Sequence, residues 1–179
     1  MEKQFLIAGF GGQGVLLMGT LLAKAAMRDG LEVSWLPSYG PEMRGGEANC
    51  AVVISDEPIG SPLVNKPPIL VAMNRPSLVK FMPMMPEGGT LLYNSSLAEG
   101  VELREDIRSV PVSCNEVADS LGNMRVANIV MLGAIQAIAS VASDSALAET
   151  LRDFLGEEKA HLLEINKLAL ARGQAAVNG

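Results

Sequence analysis

The sequence has few of the side chains that build disulfides and metal centres. Its 179 residues include only two cysteines and one histidine. Cys50 and Cys114 lie far apart and form no C-x-x-C pair. This chain alone therefore supplies neither a disulfide scaffold nor the ligands of a zinc ion or an iron–sulfur cluster. Any redox centre that works with this chain is expected on a partner.

Basic residues are also scarce. The chain has 14 Lys and Arg against 20 Asp and Glu, which gives a net charge of −6. Nucleic-acid binding depends on massed Lys and Arg, so this composition argues against it without excluding a local anion site. The first residues lack the charged start, long apolar stretch and cleavage site of a signal peptide. A cytoplasmic protein is expected.

One long uncharged run, residues 126–143, raises the question of a membrane span. Asn128, Gln136 and Ser140 interrupt it, and no Lys or Arg cluster follows it. These features favour a central helix that is buried all round. With 49% hydrophobic residues the chain can bury a full core, so residues 1–179 are predicted to form one domain.

Alternating strand and helix patterns predict a three-layer α/β/α sandwich around a mostly parallel, Rossmann-like sheet. The first two strands are about thirty residues apart, as a parallel crossover requires, so the sheet is expected to begin parallel. Residues 37–47 are predicted to form a loop from their Pro and Gly content. Ser113 and Glu116 have capping-box spacing. Predicted strands are 5–8, 31–36, 48–55, 69–73, 89–93 and 109–112; predicted helices are 15–28, 74–82, one from 113, 126–143, 143–155 and 157–172.

A glycine-rich turn follows the first predicted strand. Gly9, Gly11 and Gly14 satisfy G-x-G-x-x-G between a strand and a helix, and a helix N-terminus favours anions. The second strand, however, carries its acid, Glu32, at the wrong end to bind a nicotinamide ribose. We therefore predict a phosphate-binding turn without the nicotinamide apparatus. The alternative is a tight turn that binds nothing.

Three segments together resemble one family. GFGGQGV (9–15), SYGPEMRGGEAN (38–49) and NIVMLGA (128–134) are similar to the gamma subunit, or gamma domain, of 2-oxoacid:ferredoxin oxidoreductases. The resemblance implies an enzyme complex that decarboxylates a 2-oxoacid on thiamine diphosphate, passes electrons through iron–sulfur clusters to ferredoxin, and transfers the acyl group to coenzyme A. It places thiamine and the clusters on partner subunits (alpha, beta and a ferredoxin-like delta). This chain, without catalytic residues of its own, would be inert alone.

The resemblance also implies that the gamma unit helps to seat coenzyme A. On this view the glycine amides cradle a phosphate, Arg44 supplies a guanidinium, and Asn128 offers its amide to ligand or loop. The alternatives are that Arg44 is a solvated or partner-facing residue paired with Glu42 or Glu47, and that Asn128 is a helix N-cap. The residues expected at the site are Gly11, Gly12, Gln13, Gly14, Arg44, Gly45 and Asn128.

Two other functions remain open: a stand-alone nucleotide-binding or dinucleotide-binding protein of Rossmann type, and a structural subunit that touches no ligand. The sequence does not identify the 2-oxoacid, although residues 39–43 resemble the oxoglutarate, branched-chain and pyruvate members more than the indolepyruvate ones. His161 is expected at the surface or an interface. An apolar patch of three methionines beside two prolines is expected to face a partner and to promote self-association: Met82, Met84 and Met85.

Overall fold

Six strands form one mixed sheet. The computed structural model describes residues 1–40 and 45–177, and the strand order across the sheet is β2-β3-β1-β4-β5-β6. The strands are β1 (Glu2–Phe10), β2 (Glu32–Tyr39), β3 (Glu47–Ser55), β4 (Ile69–Ala72), β5 (Thr90–Asn94) and β6 (Arg108–Val112). The helices are α1 (Val15–Arg28), α2 (Arg75–Phe81), α3 (Cys114–Ser120), α4 (Ala127–Ala139), α5 (Asp144–Leu155) and α6 (Leu163–Val177).

The sheet is parallel from β1 through β4 and β5 to β6, but β3 is antiparallel to both of its neighbours. The expected parallel start is therefore only partly right: β2 runs in the direction of β1, yet β3 lies between them. The reason is that β3 follows β2 after a short connection, which favours antiparallel pairing. As a result, the strand beside β1 on this side begins where β1 ends, with Glu47 paired to Phe10.

Side chains of the central strand β1 alternate between the two faces of the sheet and pack into two separate hydrophobic cores. Phe5 and Ile7 of β1 belong to the larger core, which includes residues of α1, α3, α4, α5 and α6. Leu6 and Ala8 point into a smaller core that α2 covers with Leu78 and Phe81. The predicted three-layer α/β/α architecture is confirmed, with one outer layer much thinner than the other.

Helix α4 is buried on nearly all sides, as its uncharged sequence predicted. It packs against α6 through two glycines. A Cβ added at Gly133 would overlap the backbone carbonyl of Leu170, and one added at Gly173 would overlap that of Val130. Helices can approach this closely only where neither carries a side chain. Among the described residues, no helix is both long and apolar enough to cross a membrane.

Several predicted boundaries differ from the structure. Strand β2 continues through Pro37 to Tyr39, where a loop was predicted; β2 is an edge strand, which tolerates proline. Helix α6 begins at Leu163 rather than near residue 157, because α5 ends at Leu155, its C-cap Gly156 has a positive φ, and turns follow. Ser113 caps α3 without a side-chain hydrogen bond. The amide of Cys114 instead donates to Asn94 Oδ1 at 3.2 Å.

The expected methionine patch is wrong for two of its three members. Met82 and Met85 are 8% and 4% exposed and belong to the smaller core, while Met84 is 40% exposed. The 3-10 turn Met82–Met84 folds these side chains inwards. The guanidinium of Arg104 holds the turn by donating to the carbonyls of Met82 and Met85 at 3.1 and 2.9 Å.

Candidate functional site

The glycine turn joins the carboxyl end of β1 to the N-terminus of α1. Gly12 and Gly14 have φ values of 95° and 71°, a region that favours glycine. The first hydrogen bond of the helix runs from the Met18 amide to the Gly14 carbonyl at 2.9 Å. The amides of residues 15–17 therefore have no acceptor within the helix, at its positive end. This is the local geometry of an anion site.

Part of the turn is already committed to internal hydrogen bonds. The Gly11 amide donates to the Gly46 carbonyl at 2.8 Å. The Gln13 side-chain oxygen accepts from the Phe10 amide and from Asn74 Nδ2, both at 2.7 Å. The side chain of Gln13 thus braces the turn. Within the described residues, the amides of Gly12 and Gly14 have no hydrogen-bond acceptor.

Asn128 lies directly against the turn. A Cβ on Gly14 would overlap the Asn128 side-chain amide, so glycine is required here both by space and by φ. Asn128 is 5% exposed, and its Oδ1 is buried without a partner in the described chain. The residue is not an N-cap, because Val126 holds that position. An unpaired buried acceptor costs about 1–3 kcal/mol unless a ligand or partner supplies a donor.

Two cavities flank the turn. The first, of about 410 Å³, lies between the turn and α4, and we call it the α4-side cavity. The second, of about 230 Å³, lies between the turn and the start of β3, and we call it the β3-side cavity. Both are lined by Gly12, Gly14 and Leu17. The α4-side cavity also has Asn115, Arg125 and Asn128; the β3-side cavity also has Tyr39, Gly46 and Glu47.

The two cavities differ in charge. Arg125 lines the α4-side cavity, whereas Glu47 lines the β3-side cavity and pairs with Lys80 at 2.6 Å. Sequence reasoning missed both Asn115 and Arg125. Asn115 was inside the predicted capping box, and Arg125 directly precedes the uncharged run, but neither position by itself indicated that they would meet across a cavity.

The predicted loop residues are only partly described. Arg44 lies outside the described residues. Gly45 is exposed with φ 72°, a conformation suited to glycine. On either side of the connection, the Gly40 amide donates to the Glu47 carbonyl at 3.0 Å, and Gly46 accepts from Gly11. The loop therefore leaves and re-enters the sheet beside the glycine turn.

The remaining candidate residues lie elsewhere. Burial raises the pKa of the Cys50 thiol and of the Cys114 thiol to about 12 each, so both are protonated core residues. His161 is exposed in the 3-10 turn Ala160–Leu162. In the ranges 1–40 and 45–177, no three His, Cys, Asp or Glu side chains come together as a metal site.

The topology also bears on a dinucleotide site. A nicotinamide-binding sheet places a carboxylate at the end of a parallel strand next to β1. Here the neighbour is antiparallel β3, and β2 ends in Tyr39 one strand further away. Among the described residues, neither β3 nor β2 therefore ends in a carboxylate where a nicotinamide ribose would need it.

Comparison with known proteins identifies the family. A model described as pyruvate ferredoxin/flavodoxin oxidoreductase matches residues 4–176. The ketoisovalerate oxidoreductase subunit VorA of Methanothermobacter marburgensis is 44% identical over 177 residues, which cover 96% of this chain and 36% of VorA. The chain thus spans about a third of the length of that relative.

Two solved structures share the fold. The keto/oxoacid ferredoxin oxidoreductase gamma subunit of Geobacter sulfurreducens is 30% identical, with a TM-score of 0.82 over 98% of both chains. The 2-oxoglutarate:ferredoxin oxidoreductase of Magnetococcus marinus, solved with 2-oxoglutarate, coenzyme A and succinyl-CoA bound, is 25% identical with a TM-score of 0.92; the match covers 99% of this chain and 31% of that one. The resemblance seen in the three sequence segments is confirmed, and the chain belongs to the pyruvate ferredoxin/flavodoxin oxidoreductase family.

Proposed function

We propose that this chain is the gamma-type unit of a 2-oxoacid:ferredoxin oxidoreductase and that it helps to seat coenzyme A at the glycine turn. The observation that carries the proposal is the unpaired Asn128 Oδ1 beside the free N-terminal amides of α1. Coenzyme A offers both partners: phosphates accept from the backbone amides, and its pantetheine amides and hydroxyl can donate to Asn128 Oδ1. The coenzyme A-bound relative supports this choice of ligand.

The described residues divide into two roles. Gly12 and Gly14 present amides to a phosphate, together with the first turn of α1. Gly11 and Gln13 hold the turn in shape through their bonds to Gly46, Phe10 and Asn74. Gln13 also lines the α4-side cavity, so its side chain is proposed both to brace the turn and to face the ligand.

Arg44 and Gly45 are proposed to contact the ligand from the loop between β2 and β3. Arg44 precedes Gly46 by two residues, which span at most about 7 Å of chain. Because the Gly46 carbonyl is bonded to the glycine turn, a long arginine side chain in this loop has the reach to contact a phosphate there.

The catalytic apparatus is proposed to lie on partners. Thiamine diphosphate and iron–sulfur clusters would be carried by alpha, beta and ferredoxin-like delta subunits, with ferredoxin as the electron acceptor. Relatives named as oxidoreductase subunits support an assembly of this kind. The matched names include a ketoisovalerate and a 2-oxoglutarate enzyme, so both 2-oxoacids belong in the assay of the complex. The proposed location is the cytoplasm.

Calorimetry with the purified chain tests the ligand. Coenzyme A, ATP and NAD are titrated separately, and Asn128→Ala is compared with Gln136→Ala. The two residues are matched, because both are buried amides of α4 with an unpaired oxygen, 5% and 6% exposed. Gln136 lines a different cavity, near Ser140 and Gln174.

We expect coenzyme A to bind and NAD not to bind. Asn128→Ala should weaken coenzyme A roughly tenfold, the loss of about 1.4 kcal/mol, while Gln136→Ala leaves it unchanged. Preference for NAD would favour the stand-alone dinucleotide-binding protein. Binding of none of the three, also in the assembled complex, would leave a structural subunit.

A further inference from the structure

We infer that the α4-side cavity, and not the β3-side cavity, receives the diphosphate of the ligand, and that Arg125 and Asn115 complete its seat. The inference rests on the proposed function and assigns two binding residues that neither the sequence motifs nor the family resemblance indicated. The ligand class is a phosphate or diphosphate ester.

Charge is the first reason. The chain carries a net charge of −6, yet the one charged side chain among the described residues that line the α4-side cavity is the guanidinium of Arg125. No side-chain ion pair joins Arg125 to a described residue. A guanidinium presents five donors in a fork that matches phosphate oxygens.

The orientation of Asn115 is the second reason. Its Oδ1 accepts a hydrogen bond from Asn94 Nδ2 at 2.8 Å, which fixes the amide at the cavity wall. Asn94 is buried and also donates to the Met73 carbonyl at 3.3 Å, so it is itself held in place. Asn115 Nδ2 donates to no described residue and is left as a donor for the cavity.

Asn128 is the third and independent reason. A helix N-terminus alone would be weak support, but here a side chain that is 95% buried lines the same cavity with an unpaired oxygen. Backbone amides of the turn, the Asn115 amide, the Asn128 amide and the Arg125 guanidinium thus surround one space. The nitrogens of these groups can donate to a diphosphate, and the unpaired Asn128 Oδ1 is an acceptor for a donor group of the same ligand, such as a pantetheine amide.

The β3-side cavity has the opposite character. Glu47 puts a carboxylate on its wall, and most of the other side chains there are apolar: Phe10, Leu16, Leu17 and Tyr39. Glu47 is already paired with Lys80, and the described residues that line this cavity include no cationic side chain for a diphosphate. The side chains suit an uncharged part of the ligand instead, with Tyr39 58% exposed and open to stacking on a base.

The test uses the full chain with three probes: inorganic pyrophosphate, coenzyme A and pantetheine. Arg125→Met removes the charge and keeps much of the volume. Asn115→Asp keeps the oxygen that bonds Asn94 and places negative charge on the cavity wall. Arg152→Met is the control for the loss of an arginine, because Arg152 is exposed on α5 and far from the turn. Its neighbour Asp153 pairs with Arg28, the last residue of α1, and the length of α1 puts Arg28 roughly 20 Å from the turn. Asn65→Asp, in an exposed loop, controls for added negative charge.

We expect Arg125→Met to weaken pyrophosphate and coenzyme A roughly five- to tenfold at low salt and less at high salt, because Arg125 is exposed. Asn115→Asp should weaken the binding of both ligands at least as much. Neither substitution should change the binding of pantetheine, and the two control variants should bind all three probes as wild type does. In amide NMR spectra, pyrophosphate should shift Gly12, Gly14 and Asn115 rather than Tyr39 and Glu47.

The outcomes separate the two proposals. Normal coenzyme A and pyrophosphate binding by both variants, or pyrophosphate shifts centred on Tyr39 and Glu47, would overturn the inference and leave the proposed function standing. Arg125-dependent binding of pyrophosphate without binding of coenzyme A would support the anion seat and overturn the proposed ligand. Binding of neither probe by wild type would overturn both.

Discussion

At residue scale, Gly14 and Gly12 make a matched pair. Both have positive φ, but only Gly14 lies against Asn128; a Cβ at Gly12 would meet nothing within 4 Å. We expect Gly12→Ala to lower the free energy of unfolding by about 1–2 kcal/mol. Gly14→Ala should cost roughly 2–4 kcal/mol, because displacement of Asn128 adds to the backbone strain. Urea denaturation measures both, and equal losses would contradict the contact with Asn128.

Arg44 is tested in the assembled enzyme. If its guanidinium contacts a coenzyme A phosphate, Arg44→Met removes a charge-assisted hydrogen bond worth about 1.5–3 kcal/mol. The concentration of coenzyme A required should then rise roughly ten- to a hundredfold, less if solvent screens the contact, while the 2-oxoacid requirement stays constant. Arg44→Lys should recover part of the loss, since it keeps the charge without the fork. Poor co-purification with partners but a normal coenzyme A titration would assign Arg44 to an interface instead.

The two buried thiols predict how stability changes with pH. The pKa of Cys50 and of Cys114 is about 12 in the folded chain against 9.0 for an exposed thiol. The unfolded state therefore loses these protons first as pH rises. The stabilisation is complete below about pH 9 and is lost between pH 9 and 12, by about 1.4 kcal/mol per pH unit for each thiol. Urea denaturation at a series of pH values should show that the free energy of unfolding of the double variant Cys50→Ala/Cys114→Ala falls less steeply between pH 9 and 12 than that of wild type. An unchanged slope would contradict the assignment.

At the scale of elements, the packing of α4 against α6 fixes the position of α4, which carries Asn128. Gly133 and Gly173 let the two backbones touch, and Asn128 lies on α4 about 1.4 turns before Gly133. Displacement of α4 would therefore move Asn128 relative to the glycine turn. The segment 128–134, which carried part of the family resemblance, combines both contacts in one helix.

Gly133→Ala is expected to lower the free energy of unfolding by about 3 kcal/mol or more, because the added methyl group meets backbone that cannot rotate away. Gly60→Ala is the control, since a Cβ there meets nothing within 4 Å and φ is not positive. Thermal or urea unfolding compares the two. A small effect at Gly133 would show that the helices can separate without cost.

At the scale of the whole molecule, the chain is expected to be inert without partners. Both cysteines are buried and the single histidine is exposed, which is the basis for proposing that thiamine and the clusters lie on other subunits. The purified chain with a 2-oxoacid, thiamine diphosphate, coenzyme A and a viologen acceptor should give no reduction. Addition of the thiamine-bearing and cluster-bearing subunits should restore it. Turnover by the chain alone would contradict its assignment as a subunit.

Self-association now has a weaker basis than the sequence implied. Met82 and Met85 are buried, so the methionine patch is reduced to Met84; the other ground for the prediction, the Arg44 loop, lies outside the described residues. The larger exposed apolar side chains include Trp35, Leu36 and Tyr39 of the edge strand β2. Light scattering of the isolated chain remains the direct measurement, and a strict monomer at high concentration would contradict the prediction.

The sequence by itself determined the elements that depend on local patterns. Helix α1 has the predicted ends, because a glycine turn and an apolar periodicity act within a few residues of one another. The positive φ angles of the glycine turn and the buried character of α4 follow from the same short-range signals. The family was recognisable because its three motifs occur in order along the chain.

Only the tertiary structure decided which groups converge. Three features involve partners that are distant in sequence. These are the insertion of β3 between β1 and β2, the burial of Met82 and Met85, and the hydrogen bonds of Gly11 to Gly46 and of Gln13 to Asn74. The meeting of Asn115 and Arg125 with Gly14 across one cavity does so as well. Local patterns set where strands and helices form, whereas strand order and helix packing set which free donors face the same space.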